Sequence, residues 1–468
     1  MRLALAAVLG LGVDESYMVA AGRSLHWAYF DHPPLAWWLG WGAAHLFGTE
    51  AALAVRAPFI ALFALSTWLM ARLGGALFGP RAGVWAAVGL NLAPVFGVTA
   101  GSWVLPDGPL IAALLGAALC LVRAVEGGRW AAWLGAGALL GLALAAKYTA
   151  VLTAFGAVAF LATSARHRVW LARPQPYLAA LVAALVFSPV LIWNARHGWA
   201  SIAFQGGRAA GGAFHPLVPF AVLAGEALFL LPWIWAGLIG VLIAALRRGP
   251  AEWRGWVCAM LALPPILLFA AVALWSRQRV LFHWAAPGYL FLFPLLGQFA
   301  AARAAAARRW AAGTAVVLAL LLAALGSDAR WNWLAVLRPG ADPLVEAVDW
   351  DSVRTDLAAR ALLAPDGPVI AALRWQDAGK LAYALGPGVR VVCLGPDPRQ
   401  FGADQALGTL AGRTLLIVAP RFDLARLRQA LGGRFAALTP LPPAPLRHGG
   451  DTVLDIPLFL GTEFRPPG

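Results

Sequence analysis

Ten apolar segments follow one another through the first two thirds of the chain, at residues 57–78, 84–100, 108–122, 131–146, 148–164, 177–193, 216–246, 256–275, 284–301 and 310–326. A helix that crosses the hydrocarbon core of a bilayer needs about 20 apolar residues. Backbone at that depth must satisfy its polar groups within helices or a closed barrel. The pattern therefore confines this chain to a bundle of membrane-spanning helices. With the apolar run Leu3 to Val13, the reading is about eleven spans. That first run is too short to cross alone, so we expect the start codon to be assigned late and upstream residues to be missing. No small-residue cleavage site follows it, so it does not read as a secretory signal. Composition agrees with a polytopic protein: 61% of residues are hydrophobic, mean hydropathy is +0.73 and 12% are charged. A soluble fold of this length could not cover that much apolar surface.

The formal net charge of +14 raises the question of nucleic acid. The cations lie in short loops between apolar segments and form no single basic face, so nucleic acid is not expected as a partner. The bias of cytoplasmic loops toward Arg and Lys accounts for them, and the partner is the lipid bilayer. Alternating sides along the chain puts Arg81, Arg123, Arg129, Arg166, Arg168, Arg173, Arg247, Arg248, Arg254, Arg303, Arg308 and Arg309 in one loop set. The other set contains Asp14, Asp31, Asp107, Lys147, Arg196, Arg208, Arg277 and Arg279. The first set is richer in Arg and reads as cytoplasmic, so the second faces outward.

Composition changes after Gly326. Asp328, Asp342, Glu346, Asp349, Asp351 and Asp356 come in quick succession. Short apolar runs at 368–373, 389–394 and 413–420 read as buried strands, with helices at 376–385 and 423–431 between them. We therefore expect two domains: a helical membrane domain over 1–326, and a small α/β domain over 327–468 on the outer face.

The chemistry-bearing residues fall on that outer side. Asp14-Glu15-Ser16-Tyr17 places two acids where a membrane helix should be ending. An acid there is costly and is a functional candidate, although it also suits a simple helix boundary. Neighbours on a helix do not face each other, so Asp14 and Glu15 do not read as a catalytic couple. One is expected to point into a site, the other to solvent or to a helix terminus. Between Asp14 and Arg56, charges mixed with Trp27, Trp37, Trp38 and Trp41 suit helices lying in the interface, with Pro33-Pro34 ending one and starting the next. Asp107, in Leu105-Pro106-Asp107-Gly108-Pro109, suits a helix N-cap as well as a site acid. His32 lies between Asp31 and Pro33, either as a histidine bonded to Asp31 or as a donor to phosphate. No second ligand stands at metal spacing from it. Lys147 is isolated in Ala145-Ala146-Lys147-Tyr148-Thr149, in a chain whose only other lysine is Lys380. It reads either as a snorkelling helix end or as a point charge for phosphate. Arg196, His197, Arg208, Arg277, Arg279 and His283 are interfacial anchors singly, and together a positive funnel toward a lipid phosphate. The three cysteines, Cys120, Cys258 and Cys393, are far apart and have no metal or disulfide spacing. One outward carboxylate with Lys, Arg and His is the minimum set for group transfer from a lipid-phosphate donor. The leaving phosphate needs cations and the acceptor hydroxyl needs a base. The residues permit this chemistry without requiring it.

Asp14-Glu15-Ser16-Tyr17 followed by Tyr29-Phe30-Asp31-His32-Pro33-Pro34-Leu35 resembles bacterial members of glycosyltransferase family 39, the protein mannosyltransferases that use dolichyl-phosphate mannose and the lipid A aminoarabinose transferases. The resemblance continues, in order, at Pro106-Asp107-Gly108-Pro109-Leu110, Ala146-Lys147-Tyr148-Thr149-Ala150, Ser188-Pro189-Val190-Leu191-Ile192-Trp193-Asn194, His197-Gly198-Trp199-Ala200-Ser201 and His283-Trp284-Ala285-Ala286-Pro287-Gly288-Tyr289. It implies an all-α membrane protein of the GT-C fold, a polyprenyl-phosphate sugar as donor, and transfer with inversion. By that likeness Asp14 is the base or orients the acceptor, and Asp107 is the second acid, with Glu15 beside them. Lys147, His32 and Arg279 hold the donor phosphate. Asp31, Tyr29, Tyr148, Arg208 and His283 line the substrate site. The aminoarabinose enzymes carry Lys where this chain has His32, which sets His32 apart from the family pattern. No metal ligand is assigned, and a divalent metal is left open as a cofactor.

These readings converge on a multi-pass enzyme of the bacterial inner membrane, with a periplasmic active site and a lipid, glycan or protein acceptor. The rival is a transporter or flippase of lipid-linked sugars, whose mark would be an internal repeat in the spans. None is visible. A structural scaffold would leave the outward acids and Lys147 unexplained.

Overall fold

The chain opens on a broken helix. In the computed structural model, which describes residues 2–207, 212–276, 279–333 and 348–466, helix α1 (Arg2–Val8) and helix α2 (Val13–Ala21) meet at 79°. The break falls at Gly10-Leu11-Gly12, where two glycines flank a fully buried leucine. A loop follows, and α3 (Leu35–Phe47) begins directly after Pro34. Proline lacks the N–H that a helix start leaves unpaired, so it opens a helix readily.

Long apolar helices then build the bundle. Helices α4 (Ala52–Phe78) and α5 (Pro80–Leu92) turn back on each other through Gly79. They approach so closely that a Cβ on Gly83 would collide with the Ala71 carbonyl oxygen, the small-residue packing expected of helices in lipid. Helix α6 (Asp107–Gly127) is almost wholly enclosed, and packs against α4 and α7 (Trp130–Ala146). Lys147 interrupts the helix after α7 in an extended conformation, before a short turn and α8 (Val151–Thr163). Helices α9 (Pro174–Arg196) and α10 (Ala200–Gly207) follow. The long segment expected at 216–246 is two helices, α11 (Val218–Leu230) and α12 (Pro232–Arg248), meeting at 111°. Helices α13 (Trp253–Val272), α14 (Ala286–Leu290), α15 (Phe293–Ala301) and α16 (Ala304–Trp331) complete the bundle.

Every apolar segment read from the sequence is helical, but many are divided. Among the described residues, five helices are long and apolar enough to cross a membrane, or seven if each bent pair counts as one span. Two shorter apolar helices, 130–146 and 148–163, fall on two more of the expected segments. The chain is a multi-pass membrane protein. Its last helix runs five residues past the composition change at Gly326, and Asp328 is buried inside it.

Beyond it lies a five-stranded sheet of order β2-β1-β3-β5-β4. Strands β1 (Val369–Ala372), β2 (Val391–Cys393) and β3 (Leu415–Val418) are parallel. They are connected through α18 (Trp375–Leu385), as expected, and through α19 (Gln400–Asp404), which lies after β2. Helix α17 (Asp351–Ala359) precedes the sheet and α20 (Leu424–Leu431) follows β3. The antiparallel hairpin of β4 (Ala437–His448) and β5 (Asp451–Thr462) was not legible in the sequence. Pro440, Pro442, Pro443 and Pro445 hide the pattern of β4. They are tolerated because β4 is an edge strand, where a missing N–H costs no ladder bond.

This unit sits on α2. Tyr17 and Met18 of α2 share one apolar core with Trp375, Ala378 and Leu381 of α18. Gly379 allows the contact: a Cβ there would stand 2.9 Å from the Tyr17 Cα.

Candidate active site

Helix α2 separates its two acids as neighbours on a helix must. Asp14 is exposed in the first turn and Glu15 is buried. Arg56, in the first turns of α4, donates through Nε to Glu15 Oε1 at 2.8 Å and through Nη2 to Oε2. Its remaining donors reach the carbonyls of Ala6 (3.2 Å), Leu9 (2.7 Å) and Gly10 (2.9 Å). The guanidinium thus uses all five N–H groups. Glu15 also accepts from the backbone N–H of Gly12 at 3.0 Å and of Val104 at 2.9 Å. The cluster caps α2, staples the broken first helix to α4, and pins both to the strand of chain entering α6. It leaves no vacant donor or acceptor for a reactant. Glu15, expected among the catalytic acids, is held in a structural ion pair.

Three residues after Val104, Asp107 opens α6. Lys147, at the break after α7, donates to Asp107 Oδ1 at 3.0 Å and Oδ2 at 3.2 Å. The two residues that the sequence presented as separate candidates are one ion pair, and both side chains keep 11% exposure. Only Asp107 is engaged by these two bonds, and an ammonium carries three protons. His32 and His283 both lie close enough to act electrostatically on Asp107.

The segment carrying His32 is fixed from three sides. Tyr29 is fully buried, stacked on Trp37 at 4.1 Å, with its hydroxyl donating to the Ser24 carbonyl at 2.9 Å. Burial pushes that phenol up to about 12. Tyr29, expected at the substrate site, is buried within the loop and bonded to its backbone. Asp31 is also buried, and its carboxylate accepts from Tyr17 Oη and from Arg399 Nη1, each at 3.2 Å. Gln205 of α10 donates to its backbone carbonyl. His32 follows, with Nδ1 buried and without a hydrogen-bond partner among the described residues. Burial pulls its imidazole down to about 4; Asp31 opposes this, Lys147 and Arg399 reinforce it, and Asp107 opposes it. At neutral pH His32 is neutral, so it can offer a phosphate one N–H but no charge.

Tyr148 joins a polar group with Ser201 (2.7 Å) and Asn194 (3.3 Å) at the junction of α9 and α10. Arg279 is exposed and stacks over Phe282 at 5.1 Å. Arg208 and Arg277 lie outside the described residues. Among the described residues, no three His, Cys, Asp or Glu side chains are grouped as metal ligands.

Two arginines escaped the sequence reading. Arg56 is a lone charge in an apolar helix, and the argument applied to Lys147 would have found it. Arg399 had a weaker signal: it lies in the loop after the carboxyl end of β2, the end of a parallel sheet where ligands gather.

The resemblance read from the motifs is borne out. Residues 31–193 match the family model described as dolichyl-phosphate-mannose-protein mannosyltransferase. The fold is that of ArnT from Cupriavidus metallidurans. The crystal structure of that protein bound to undecaprenyl phosphate aligns with a TM-score of 0.66 at 17% identity, over 98% of this chain and 95% of that one. Its apo crystal structure aligns with a TM-score of 0.65 at 16% identity over the same shares. A comparison with curated proteins by sequence gave no match. The GT-C fold with a small C-terminal sheet domain is thereby established.

Proposed function

We propose that this chain is a membrane glycosyltransferase that moves a sugar from a polyprenyl-phosphate donor to a hydroxyl or phosphate of a periplasmic lipid, glycan or protein, at the outer face of the bacterial inner membrane. The observation that carries the reading is the partly open Asp107–Lys147 pair, faced by two histidines. A shared fold with a protein crystallised with undecaprenyl phosphate supports the donor class.

For a hydroxyl acceptor, Asp14 takes the proton. The freed oxygen attacks the anomeric carbon, the bond from that carbon to the phosphate oxygen breaks, and polyprenyl phosphate leaves with inversion. The phosphate goes from a diester with one negative charge to a monoester carrying more. Lys147 meets that charge with the proton Asp107 does not require, and neutral His32 adds an N–H. His283 stands by the same carboxylate, Tyr148 lines the sugar or acceptor side, and Arg279 adds a further cation for the donor phosphate. Asp14 is the acid left exposed for an incoming acceptor, while Glu15 anchors it next to the start of α6.

The test is sugar transfer in membranes carrying the wild-type chain or Asp14→Asn, with a panel of labelled polyprenyl-phosphate sugars. Wild type should label a lipid, glycan or protein fraction, and Asp14→Asn should lose about 10²–10⁴ of that rate at unchanged insertion. Wild-type membranes that transfer nothing, yet move labelled lipid across the bilayer, would make the chain a transporter.

A further inference from the structure

The C-terminal domain reaches the loop that carries His32. The loop after β2 turns at Arg399, whose backbone has φ +48° and ψ −130°, a conformation that a side-chain-bearing residue adopts only when its surroundings hold it. Its guanidinium lies 3.6 Å over the Trp375 ring and 5.5 Å from that of Phe204 in α10. One arm donates to Asp31 Oδ2 at 3.2 Å. The next residue adds two bonds: the Gln400 backbone N–H donates to Tyr17 Oη at 3.1 Å, and Gln400 Oε1 accepts from the Phe30 N–H at 2.8 Å. Tyr17 Oη in turn donates to the other Asp31 oxygen. Residues 399 and 400 thus hold the backbone of residue 30 and, directly and through Tyr17, both carboxylate oxygens of residue 31. His32, the next residue in the chain, faces Asp107 and Lys147.

We infer that Arg399 is a positioning residue of the active site: by holding Asp31 it fixes the segment that presents His32 to the Asp107–Lys147 pair. This rests on the glycosyltransferase reading for its kinetic consequence, but not for its geometric one. Two features favour positioning over simple adhesion. The contact is a charge pair to a buried carboxylate adjacent to a site residue, while adhesion between the domains is already supplied by the apolar core of α2 and α18. The charge also acts on His32 itself, alongside Asp31 from the same loop, Asp107 from α6 and Lys147 from the break after α7.

The experiment uses the full chain in nanodiscs, as wild type, Arg399→Gln and Arg399→Lys. The titration of His32 is read by mass spectrometry from deuterium exchange at its ring C2 position, and transfer kinetics are read with the polyprenyl-phosphate sugar that wild type uses. Removing the charge takes away one group that lowers His32 and frees Asp31, which raises it. The His32 midpoint in Arg399→Gln should therefore move up by about one unit, and kcat should fall about tenfold or more with KM for the donor little changed. Arg399→Lys keeps the charge and should stay near wild type in titration and recover part of kcat. An unmoved His32 midpoint in Arg399→Gln overturns the inference, whether or not the chain transfers sugar. A moved midpoint with unchanged kcat overturns it too, since the contact would then be electrostatic without positioning anything. Inactive wild type removes the glycosyltransferase reading, and backbone amide exchange over residues 30–32 then decides: faster exchange in Arg399→Gln than in wild type keeps the inference, and equal exchange overturns it.

Discussion

Two buried acid–base pairs sit at helix breaks on either side of the segment entering α6, and they are built to opposite ends. Glu15–Arg56 is closed: its side chains keep 2–3% exposure and every guanidinium proton is placed. Asp107–Lys147 is open: its exposure is 11% on each side, two histidines act on its carboxylate, and among the described residues its lysine is bonded to one carboxylate alone. Desolvating two charges is repaid only when geometry and additional hydrogen bonds satisfy what remains of them. The closed pair meets that condition within the protein. The open pair leaves part of it unmet among the described residues, and the proposed function assigns that part to the donor phosphate. Saturation of the valences therefore separates a staple from a site more sharply than burial does, because both pairs are buried.

The largest effect should come from breaking the closed pair. Arg56→Met leaves a carboxylate with two backbone donors and no counter-charge in an enclosed position, a change that costs about 3–5 kcal/mol. It also frees the carbonyls of Ala6, Leu9 and Gly10. The expected outcome is a steep loss of monodisperse protein after detergent extraction and a lower unfolding midpoint. The double variant Glu15→Leu/Arg56→Met, which removes both charges, should recover much of the loss. If Arg56→Met were as stable as wild type, saturated bonding would not mark a staple, and the contrast between the pairs would fall.

The open pair should respond in the other observable. Lys147→Ala should lower sugar transfer by about 10²–10³, the usual consequence of removing one group aimed at developing charge. Its unfolding midpoint should fall less than that of Arg56→Met, because solvent can reach Asp107. Lys147→Arg should restore insertion but only part of the rate, since a planar fork does not replace a point charge at this separation. A Lys147 variant that loses stability as severely as Arg56→Met, with transfer lost only in proportion to folded protein, would place both pairs in the same class.

This contrast also measures what the sequence could say. The bundle was legible because about 20 apolar residues in a row have few physical alternatives. The three parallel strands were legible because they are short, buried and bounded by breakers. The hairpin of β4 and β5 was not, since its prolines mimic a loop and only the sheet edge makes them tolerable. Within the site, Asp107, Lys147, His32 and Asp31 stood out as charges in apolar or proline-locked contexts. The pairing among them did not, because it joins residues 40 apart in one case and 368 apart in the other. Chemistry that depends on an isolated charge can be read along a chain. Whether that charge is closed or open is a property of the packed neighbours and enters only with the fold.

The smallest expected effect tests how His32 belongs to the open pair. Its folded value, about 4, lies below the ordinary imidazole value of 6.5 because burial disfavours the cation. Between those two values the unfolded chain binds a proton that the folded chain refuses. The His32 contribution is therefore present in full above about pH 6.5 and is lost as pH falls toward 4, amounting to about 1–2 kcal/mol for a partly screened group. Unfolding midpoints measured from pH 7 to pH 4 should fall more steeply for wild type than for His32→Gln, the difference between the two curves isolating this one group from the carboxylates that titrate in both. Saturating undecaprenyl phosphate sharpens the result. An anion beside the ring favours the protonated form, so if His32 touches the donor phosphate the wild-type slope should flatten toward that of His32→Gln. If the slope is unchanged with the lipid bound, the anion is met by Lys147 alone, and His32 is a neutral wall of the open pair rather than a ligand of the donor.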